Sequence, residues 1–263
     1  KRIALTIPSF NEYVRCFPNS EFVFINSKDN GYRLSLESII NVLDDVDTLV
    51  VISPDNPSGS HLSYDETIKL LNIAKQKEKQ IVFDESFIDF ASDNYTLIDD
   101  SILKRYENLI VIKSISKSYG VPGLRLGILA SGNNDIINIL NNNLPVWNIN
   151  SFAEYFLQIF NIYKKDYKNA CINIKNERDR FYNELRNIKE LYVYPSEANY
   201  FMIELKKGKA YELAEFLLNN KKILIKVLNG KNGFDSKEYI RIAIKDKEEN
   251  DYLFDCLKEY FKV

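Results

Sequence analysis

Short apolar runs alternate with amphipathic segments over the first half of the chain, which predicts strands and helices in turn. The runs typical of strands are residues 3–7, 21–25, 48–53, 80–83, 109–112 and 124–130. Apolar positions on one face predict helices over 36–43 and from 64 to about 77, the second opened by the capping box Ser63-x-x-Glu66. This order indicates a mostly parallel sheet with helices on its faces. The last connection is too short for a parallel crossover, so the last strand is expected to run antiparallel.

The second half of the chain has a different pattern. Residues 151 to about 187 are helical in character, with one break expected near Asp166 or Ala170. Beyond them, strands at 193–194, 200–205, 223–227 and 239–244 and helices at 210–218 and 248–261 predict a small α+β unit. We therefore expect a large α/β domain over residues 1–165, and a linking helix with a small C-terminal domain over residues 166–263.

Composition narrows the class of protein. The chain has 263 residues, 45% hydrophobic and 27% charged, an ordinary globular balance, and its net charge of -2 gives no reason to expect nucleic acid. The three cysteines are widely spaced, which argues against a disulfide framework and a zinc site. The single histidine argues against a Ser-His-Asp triad. No apolar run is long enough for a membrane span. We expect a cytoplasmic protein that contacts no membrane.

One stretch, VIKSISKSYGVPGLRLG at 111–127, concentrates the candidate chemistry. Lys117 follows an apolar strand in a turn rich in serine and glycine, with Ser114, Ser116 and Arg125 close by. Partial burial beside another cation would lower the pKa of a lysine and leave a nucleophilic amine. Hydroxyls, loop amides and an arginine would suit a bound anion. The alternative is a tight connection that carries an ordinary exposed lysine.

Other polar residues also follow predicted strands. Asn56, Asp84 and Lys117 each come after the carboxyl end of one, where open α/β sheets bind ligands. A buried aspartate such as Asp84 needs a cationic partner, for which a protonated pyridine nitrogen would serve; a helix cap or loop carboxylate is the alternative. Asn56 alone indicates only a turn. Arg241 lies within a strand, on the face opposite its apolar neighbours, which suits a bidentate grip on a carboxylate.

The pattern S-x-S-K-x-x-G-x-x-G-x-R-x-G resembles the lysine segment of the pyridoxal-phosphate-dependent aminotransferases of fold type I, class I/II. Within that family the chain resembles the histidinol-phosphate aminotransferases and the threonine-phosphate decarboxylases, and the resemblance extends over essentially the whole chain. It implies pyridoxal 5′-phosphate as cofactor and the fold type I architecture of a large domain and a small one. By this resemblance Lys117 forms a Schiff base with the cofactor, and Ser114, Ser116 and Arg125 hold its phosphate. Lys113, inside the strand, is the rival lysine.

The same resemblance assigns further cofactor contacts. Asp84 would pair with the pyridine nitrogen, and Asn56, in D-N-P-S-G, would contact the phenolic oxygen O3′. Phe87 stands where many relatives have a tyrosine that also bonds O3′, so that donor is absent here. Phe10, in P-S-F-x-x-Y, would stack on the ring. For the substrate, the resemblance implies Arg241 on the α-carboxylate, with Asn199 and Asn150 lining the same site.

The function implied is an aminotransferase that moves an amino group from an amino acid or amino-phosphate to a 2-oxo acid, with Lys117 as the proton carrier. A decarboxylase of the threonine-phosphate decarboxylase type is the alternative. A non-catalytic dimerisation module of a longer fused chain is the alternative from another class. We expect a homodimer. Family members carry a segment before the first strand, so we expect this chain to be part of a longer one. Without that segment, we expect the apolar face of the first strand to be exposed. We also expect residues 1–263 alone to bind the cofactor weakly or not at all and to turn over poorly.

Overall fold

A computed structural model describes residues 1–263, and its larger sheet has six strands. They are β1 (Arg2–Ile7), β2 (Glu21–Asn26), β3 (Thr48–Ile52), β4 (Gln80–Asp84), β5 (Leu109–Ser114) and β6 (Gly127–Ser131). Their order across the sheet is β2-β1-β3-β4-β5-β6, and β6 alone runs antiparallel to its neighbour. The mostly parallel sheet with one antiparallel strand is thus confirmed.

Helices connect these strands and cover the sheet. They are α1 (Glu12–Cys16), α2 (Leu36–Asn41), α3 (Tyr64–Gln76), α4 (Asp100–Arg105), α5 (Ile115–Ser118) and α6 (Asn134–Asn143). The predicted capping box opens α3, with Ser63 and Glu66 each satisfying the other's backbone. Lys117 lies in α5, a single helical turn, rather than in the open turn expected from its serines and glycines. The strand before it is longer than predicted because β5 continues to Ser114.

The helical stretch of the second half consists of α7 (Ser151–Ile159) and α8 (Lys164–Leu185), joined by a 3-10 turn at Phe160–Tyr163. The break expected near Asp166 or Ala170 was therefore wrong, since both residues lie inside α8. An aromatic cluster explains where the break falls. The ring centroid of Phe160 lies 4.9 Å from that of Tyr119, and Tyr119 stacks on Tyr167 at 4.1 Å.

The smaller sheet is antiparallel and consists of β7 (Leu191–Val193), β8 (Tyr200–Leu205), β9 (Lys226–Val227) and β10 (Glu238–Ala243) in the order β7-β8-β10-β9. Helices α9 (Ala210–Lys221) and α10 (Lys247–Phe261) pack on it and share its apolar core with the end of α8. Only two residues of the predicted strand 223–227 pair in β9. The two sheets lie in the two predicted halves; the boundary at residue 165 stays a prediction.

Two expectations about surfaces can be judged from burial. β1 lies between β2 and β3 with five of its six residues buried, so the expectation of an exposed first strand was wrong. The exposed strands are β2 and β6, at the two sheet edges, where Phe24, Ile128 and Leu129 are about 40% exposed. No helix of the protein combines the length and the apolar character that crossing a bilayer requires.

Candidate active site

The carboxyl ends of β3, β4 and β5 meet at one edge of the larger sheet. Ile52 pairs with Asp84 and Asp84 with Ile112 in the parallel register, so the segments that follow these strands begin side by side. The Ser114 amide donates to the Ser86 hydroxyl at 2.9 Å, which ties the last two ends together. The predicted residues Asn56, Asp84 and Lys117 therefore lie along one edge, as the sequence indicated.

The two rival lysines have different environments. Lys113 is buried, and its amine forms an ion pair with Asp89 at 2.9 Å and lies 3.8 Å from the buried Glu85. Lys117 is exposed and its amine has no hydrogen bond or ion pair within the chain. A lysine held by two carboxylates is unsuited to nucleophilic work, because its charge is needed to compensate theirs. Of the two, Lys117 has the unengaged amine, and its role as the Schiff-base lysine stays a prediction.

Asp84 is a buried carboxylate without a cationic partner. Its Oδ2 accepts a hydrogen bond from the Tyr13 hydroxyl at 2.6 Å and its Oδ1 accepts one from the Ser86 amide at 2.9 Å. No lysine or arginine forms an ion pair with it, although it is only 8% exposed. A buried carboxylate without an ion pair in the chain suits a cation supplied by a ligand. The protonated ring nitrogen of pyridoxal phosphate fits this requirement.

The three residues predicted to hold the cofactor phosphate lie close together. Backbone pairing of Ser114 with Gly127, and of the Ile115 amide with the Leu126 carbonyl at 3.1 Å, brings the Arg125 loop beside the serines. The hydroxyls of Ser114 and Ser116 have no hydrogen bond within the chain. Arg125 is exposed, in the left-handed region at φ 56°, and bonds only the Pro122 carbonyl at 3.1 Å. These donors are available to an anion.

Arg241 extends from β10 of the small sheet to the turn after β3. Its guanidinium donates to Oδ1 of Asn56 at 2.6 Å and lies 4.8 Å above the ring of Tyr200. The Tyr200 hydroxyl in turn donates to the Asp55 carbonyl at 2.8 Å. Arg241 is half-buried and has no carboxylate partner. Its remaining N–H groups suit a substrate carboxylate.

The two predicted aromatic residues differ in exposure. Phe10 is 43% exposed, with its ring centroid 6.4 Å from that of Tyr13, so one face can still be covered by a ligand. Phe87 is buried and meets Tyr200 edge-on at 5.1 Å, in a small cluster with Phe90 and Ala198. Phe87 thus packs within the chain and offers a ligand no hydroxyl, and the absence of a donor to O3′ at this position stays a prediction.

The two remaining asparagines are placed differently. Asn199 directly precedes Tyr200, is half-buried, and has a side chain without a hydrogen bond within the chain. Asn150 caps α7: its Oδ1 accepts from the Ala153 amide at 3.0 Å and its amide donates to the Leu124 carbonyl at 3.0 Å. Both polar ends of Asn150 are therefore engaged. The substrate role of each asparagine stays a prediction.

Sequence analysis did not identify four residues of this region: Tyr13, Asp55, Tyr200 and Lys231. The carboxyl of Asp55 is fully enclosed, and burial raises its pKa to about 7. Lys231, in the loop after β9, donates to the Ser9 carbonyl at 2.8 Å and to the Asn11 side chain at 3.0 Å. These bonds connect that loop to the segment that follows β1. Tyr13, Tyr200 and Lys231 bond residues distant in sequence, and the carboxyl of Asp55, which accepts from Ser58, is enclosed only once the chain has folded.

Known proteins are similar to this chain in fold and in sequence. Residues 1–257 match the family described as aminotransferase class I and II. An L-serine phosphate decarboxylase of Campylobacter jejuni is 33% identical over the whole chain, which spans 69% of that protein. The solved structure of a decarboxylase from Sulfurospirillum multivorans has a TM-score of 0.89 at 33% identity, over 100% of this chain and 68% of the other.

An aminotransferase is similar to nearly the same degree. The crystal structure of the histidinol-phosphate aminotransferase from Clostridium acetobutylicum has a TM-score of 0.88 at 28% identity, over 100% of this chain and 78% of the other. The match to the family covers both sheets and every residue of the site described above. The chain therefore belongs to the class I and II aminotransferase family, with its fold type I architecture and its cofactor, pyridoxal 5′-phosphate.

Proposed function

We propose that this chain is the catalytic core of a pyridoxal-phosphate-dependent decarboxylase that acts on an amino acid bearing a phosphate group. Two observations support the proposal. One is the similarity to L-serine phosphate decarboxylase over the full length of the chain. The other, which carries the choice of substrate class, is a group of three cations without carboxylate partners: two on the small sheet, one of which bonds Asn56, and one in the loop between β9 and β10.

The cations are Arg241, Lys226 and Lys231. Arg241 and Lys226 stand directly opposite each other on β10 and β9, where like charges destabilise an antiparallel pair. None of the three has a carboxylate partner within hydrogen-bonding distance. Burial, and then the nearby Arg241, lower the pKa of Lys231. One α-carboxylate would compensate one of these charges, whereas a phosphate group adds about two more negative charges.

The residues of the chain divide the remaining work. When bound, the cofactor supplies an electron sink for the negative charge that develops at the substrate Cα. Asp84 would keep its ring nitrogen protonated, Ser114, Ser116 and Arg125 would hold its phosphate, and Phe10 would cover its ring. Lys117 is the attachment point and the proton carrier. In decarboxylation, the Cα–carboxylate bond breaks, carbon dioxide leaves, and Lys117 would deliver one proton to Cα.

Transamination is the second candidate. It is favoured by the likeness to histidinol-phosphate aminotransferase over the whole chain. Here Lys117 would instead remove the proton from Cα, and a 2-oxo acid would be the amino acceptor. The same Arg241 would bind either substrate, so the two reactions differ in which bond at Cα is broken.

Product analysis separates these reactions. The cofactor-loaded protein is incubated with L-serine phosphate, with and without a 2-oxo acid, and carbon dioxide, amine and keto products are quantified. We expect carbon dioxide and an amino-alcohol phosphate in equal amounts, without need of a 2-oxo acid. Keto product that depends on the 2-oxo acid would establish transamination instead.

Two controls complete the assay. Unphosphorylated L-serine should react poorly if the cations serve a phosphate, and Lys226→Met should lessen the preference for the phosphorylated substrate. Activity that survives Lys117→Ala would belong to a contaminant. A loaded protein that turns over none of these substrates would favour the non-catalytic dimerisation module.

We also propose a homodimer. Large apolar side chains are exposed along the segment of residues 144–163, which we call the apolar segment: Leu144, Val146, Trp147, Ile149, Phe152, Tyr155, Leu157, Ile162 and Tyr163. So dense a run of exposed apolar side chains is typical of an interaction surface. A second copy of the chain is the proposed occupant.

A further inference from the structure

The Tyr13 hydroxyl lies on the carboxylate that would serve the cofactor. It donates to Oδ2 of Asp84 at 2.6 Å, across 71 residues of sequence, and the Ser86 amide donates to Oδ1 at 2.9 Å. The Tyr13 ring is buried with Ile3, Leu5, Val50 and Ile52 between the sheet and α1. Asp84 is thus held at both oxygens by donors whose own positions are fixed.

Tyr13 is a permanent donor in this bond. Burial, and then the charge of Asp84, raise the pKa of the Tyr13 phenol well above its usual range, so the hydroxyl stays protonated at every working pH. A carboxylate has about four lone-pair positions, and the two donors occupy one on each oxygen. The remaining positions are free for a cation. With Ser86 alone, the carboxylate could rotate about its bond to Cβ.

We propose that Tyr13 is a positioning residue for the cofactor: it fixes the Asp84 carboxylate in the orientation that accepts a hydrogen bond from the protonated ring nitrogen. This inference rests on the proposed role of Asp84. A positioning role explains why the buried Tyr13 donates its hydroxyl to a carboxylate that has no cationic partner in the chain. If the hydrogen bond only held α1 against the sheet, its loss would affect the binding of different cofactor analogues equally.

The test uses two ligands that differ in one atom. The holoenzyme is stripped and titrated with pyridoxal phosphate and with its analogue in which the ring nitrogen is replaced by C–H. The titration compares the unchanged protein with Tyr13→Phe, which keeps the ring and removes the hydroxyl. Because a hydrogen bond to a charged group is worth about 1.5–3 kcal/mol, partial loss of orientation should weaken binding of pyridoxal phosphate about tenfold. Binding of the analogue should change less than about twofold, since it offers no nitrogen to Asp84.

Asp84→Ala separates failure of this inference from failure of the site. If Asp84→Ala weakens both ligands equally or neither, the assignment of Asp84 is wrong and the inference fails with it. If Asp84→Ala is selective for pyridoxal phosphate but Tyr13→Phe weakens both ligands equally or neither, the site stands and Tyr13 is only structural. Placing 4-aminophenylalanine at position 13 restores an N–H donor on the same ring and should recover the selectivity. If the protein with 4-aminophenylalanine folds but does not prefer pyridoxal phosphate over the analogue, the inference is overturned. This comparison also decides the matter if Tyr13→Phe does not fold.

Discussion

Arg241 and Asn56 are 185 residues apart in sequence, and the Arg241 guanidinium donates to the Asn56 side-chain oxygen at 2.6 Å. The bond joins the small sheet to the turn after β3, so the proposed substrate grip and the proposed O3′ contact share one hydrogen bond. A change at either residue therefore reaches the other. Because Asn56 is only one of the proposed cofactor contacts, loss of Arg241 should shift the position of the cofactor without preventing its binding.

Arg241→Ala should raise KM for the substrate and leave cofactor loading intact. Loss of a partner from a close charge pair costs roughly 2–5 kcal/mol, so kcat/KM should fall by at least about 30-fold. Lys237→Ala is the matched control, since Lys237 is a cation near β10 that pairs with Glu204 at 2.8 Å away from the site. Steady-state kinetics and the cofactor absorbance test both. Loss of the cofactor in Arg241→Ala would show that this arginine serves the cofactor instead.

Tyr200 should matter through its ring more than through its hydroxyl. Tyr200→Phe removes the 2.8 Å bond to the Asp55 carbonyl and should lower the free energy of unfolding by about 1 kcal/mol, with KM nearly unchanged. Tyr200→Leu also removes the surface beneath the Arg241 guanidinium at 4.8 Å, and should raise KM severalfold, since a cation over a ring is worth about 0.5–2 kcal/mol. Equal KM values for the two variants would contradict this division.

The two lysines should fail in opposite ways. Lys117→Ala should abolish cofactor that is trapped by borohydride, and should leave thermal unfolding without cofactor nearly unchanged, because this amine has no partner. Lys113→Ala should keep trapping but lose about 3–5 kcal/mol of stability, because Glu85 and Asp89 lose their buried cation. Trapping lost in Lys113→Ala and kept in Lys117→Ala would reverse the assignment.

The sequence was informative wherever the chemistry is local to a strand end. Asp84 directly follows one apolar run and Lys117 comes shortly after another, and the carboxyl ends of parallel strands must meet at one edge, so their convergence was predictable. The opposition of Arg241 and Lys226 was not, since it depends on a register between β10 and a strand of only two residues. Nor could Tyr13 be assigned to Asp84 before the two elements were packed together.

The wrong expectations about the helix break and about the exposure of β1 also result from contacts between segments distant in sequence. The break in the long helical stretch falls where Tyr119 and Phe160 meet, and Tyr119 comes from the distant segment after Lys117. Periodicity within α8 contains no trace of that contact. The burial of β1 likewise follows from strand order, because β2 covers the edge that an isolated strand would expose.

Asp55 should make stability depend on pH. Burial raises its pKa from 3.8 to about 7 in the folded protein, so the folded state binds the proton more tightly than the unfolded state. The stability this provides is complete below about pH 4 and is lost as the pH rises through about 7. Asp55→Asn should therefore be more stable than the unchanged protein at pH 8, by on the order of 2–4 kcal/mol, and similar to it near pH 4.

Urea unfolding at several pH values measures the difference, and Asp45→Asn, at an exposed carboxylate, is the control that should show little of it. A constant gap between Asp55→Asn and the unchanged protein from pH 4 to 8 would refute the titration of Asp55 in this range.

The last prediction concerns the apolar segment, where Phe152 is 80% exposed on α7. Phe152→Glu should leave the fold of each chain intact, because most of the Phe152 side chain already faces solvent. In the proposed homodimer, however, it would place a carboxylate in an apolar interface at a cost of several kcal/mol, and weaken association by about a hundredfold or more. Leu224→Glu is the matched control, since Leu224 is 81% exposed but lies on the small domain outside that segment. Sedimentation velocity of the cofactor-loaded proteins should give a dimer for the unchanged and Leu224→Glu proteins and a monomer for Phe152→Glu. A dimer that survives Phe152→Glu would place the interface elsewhere, and a monomeric unchanged protein would remove the homodimer altogether.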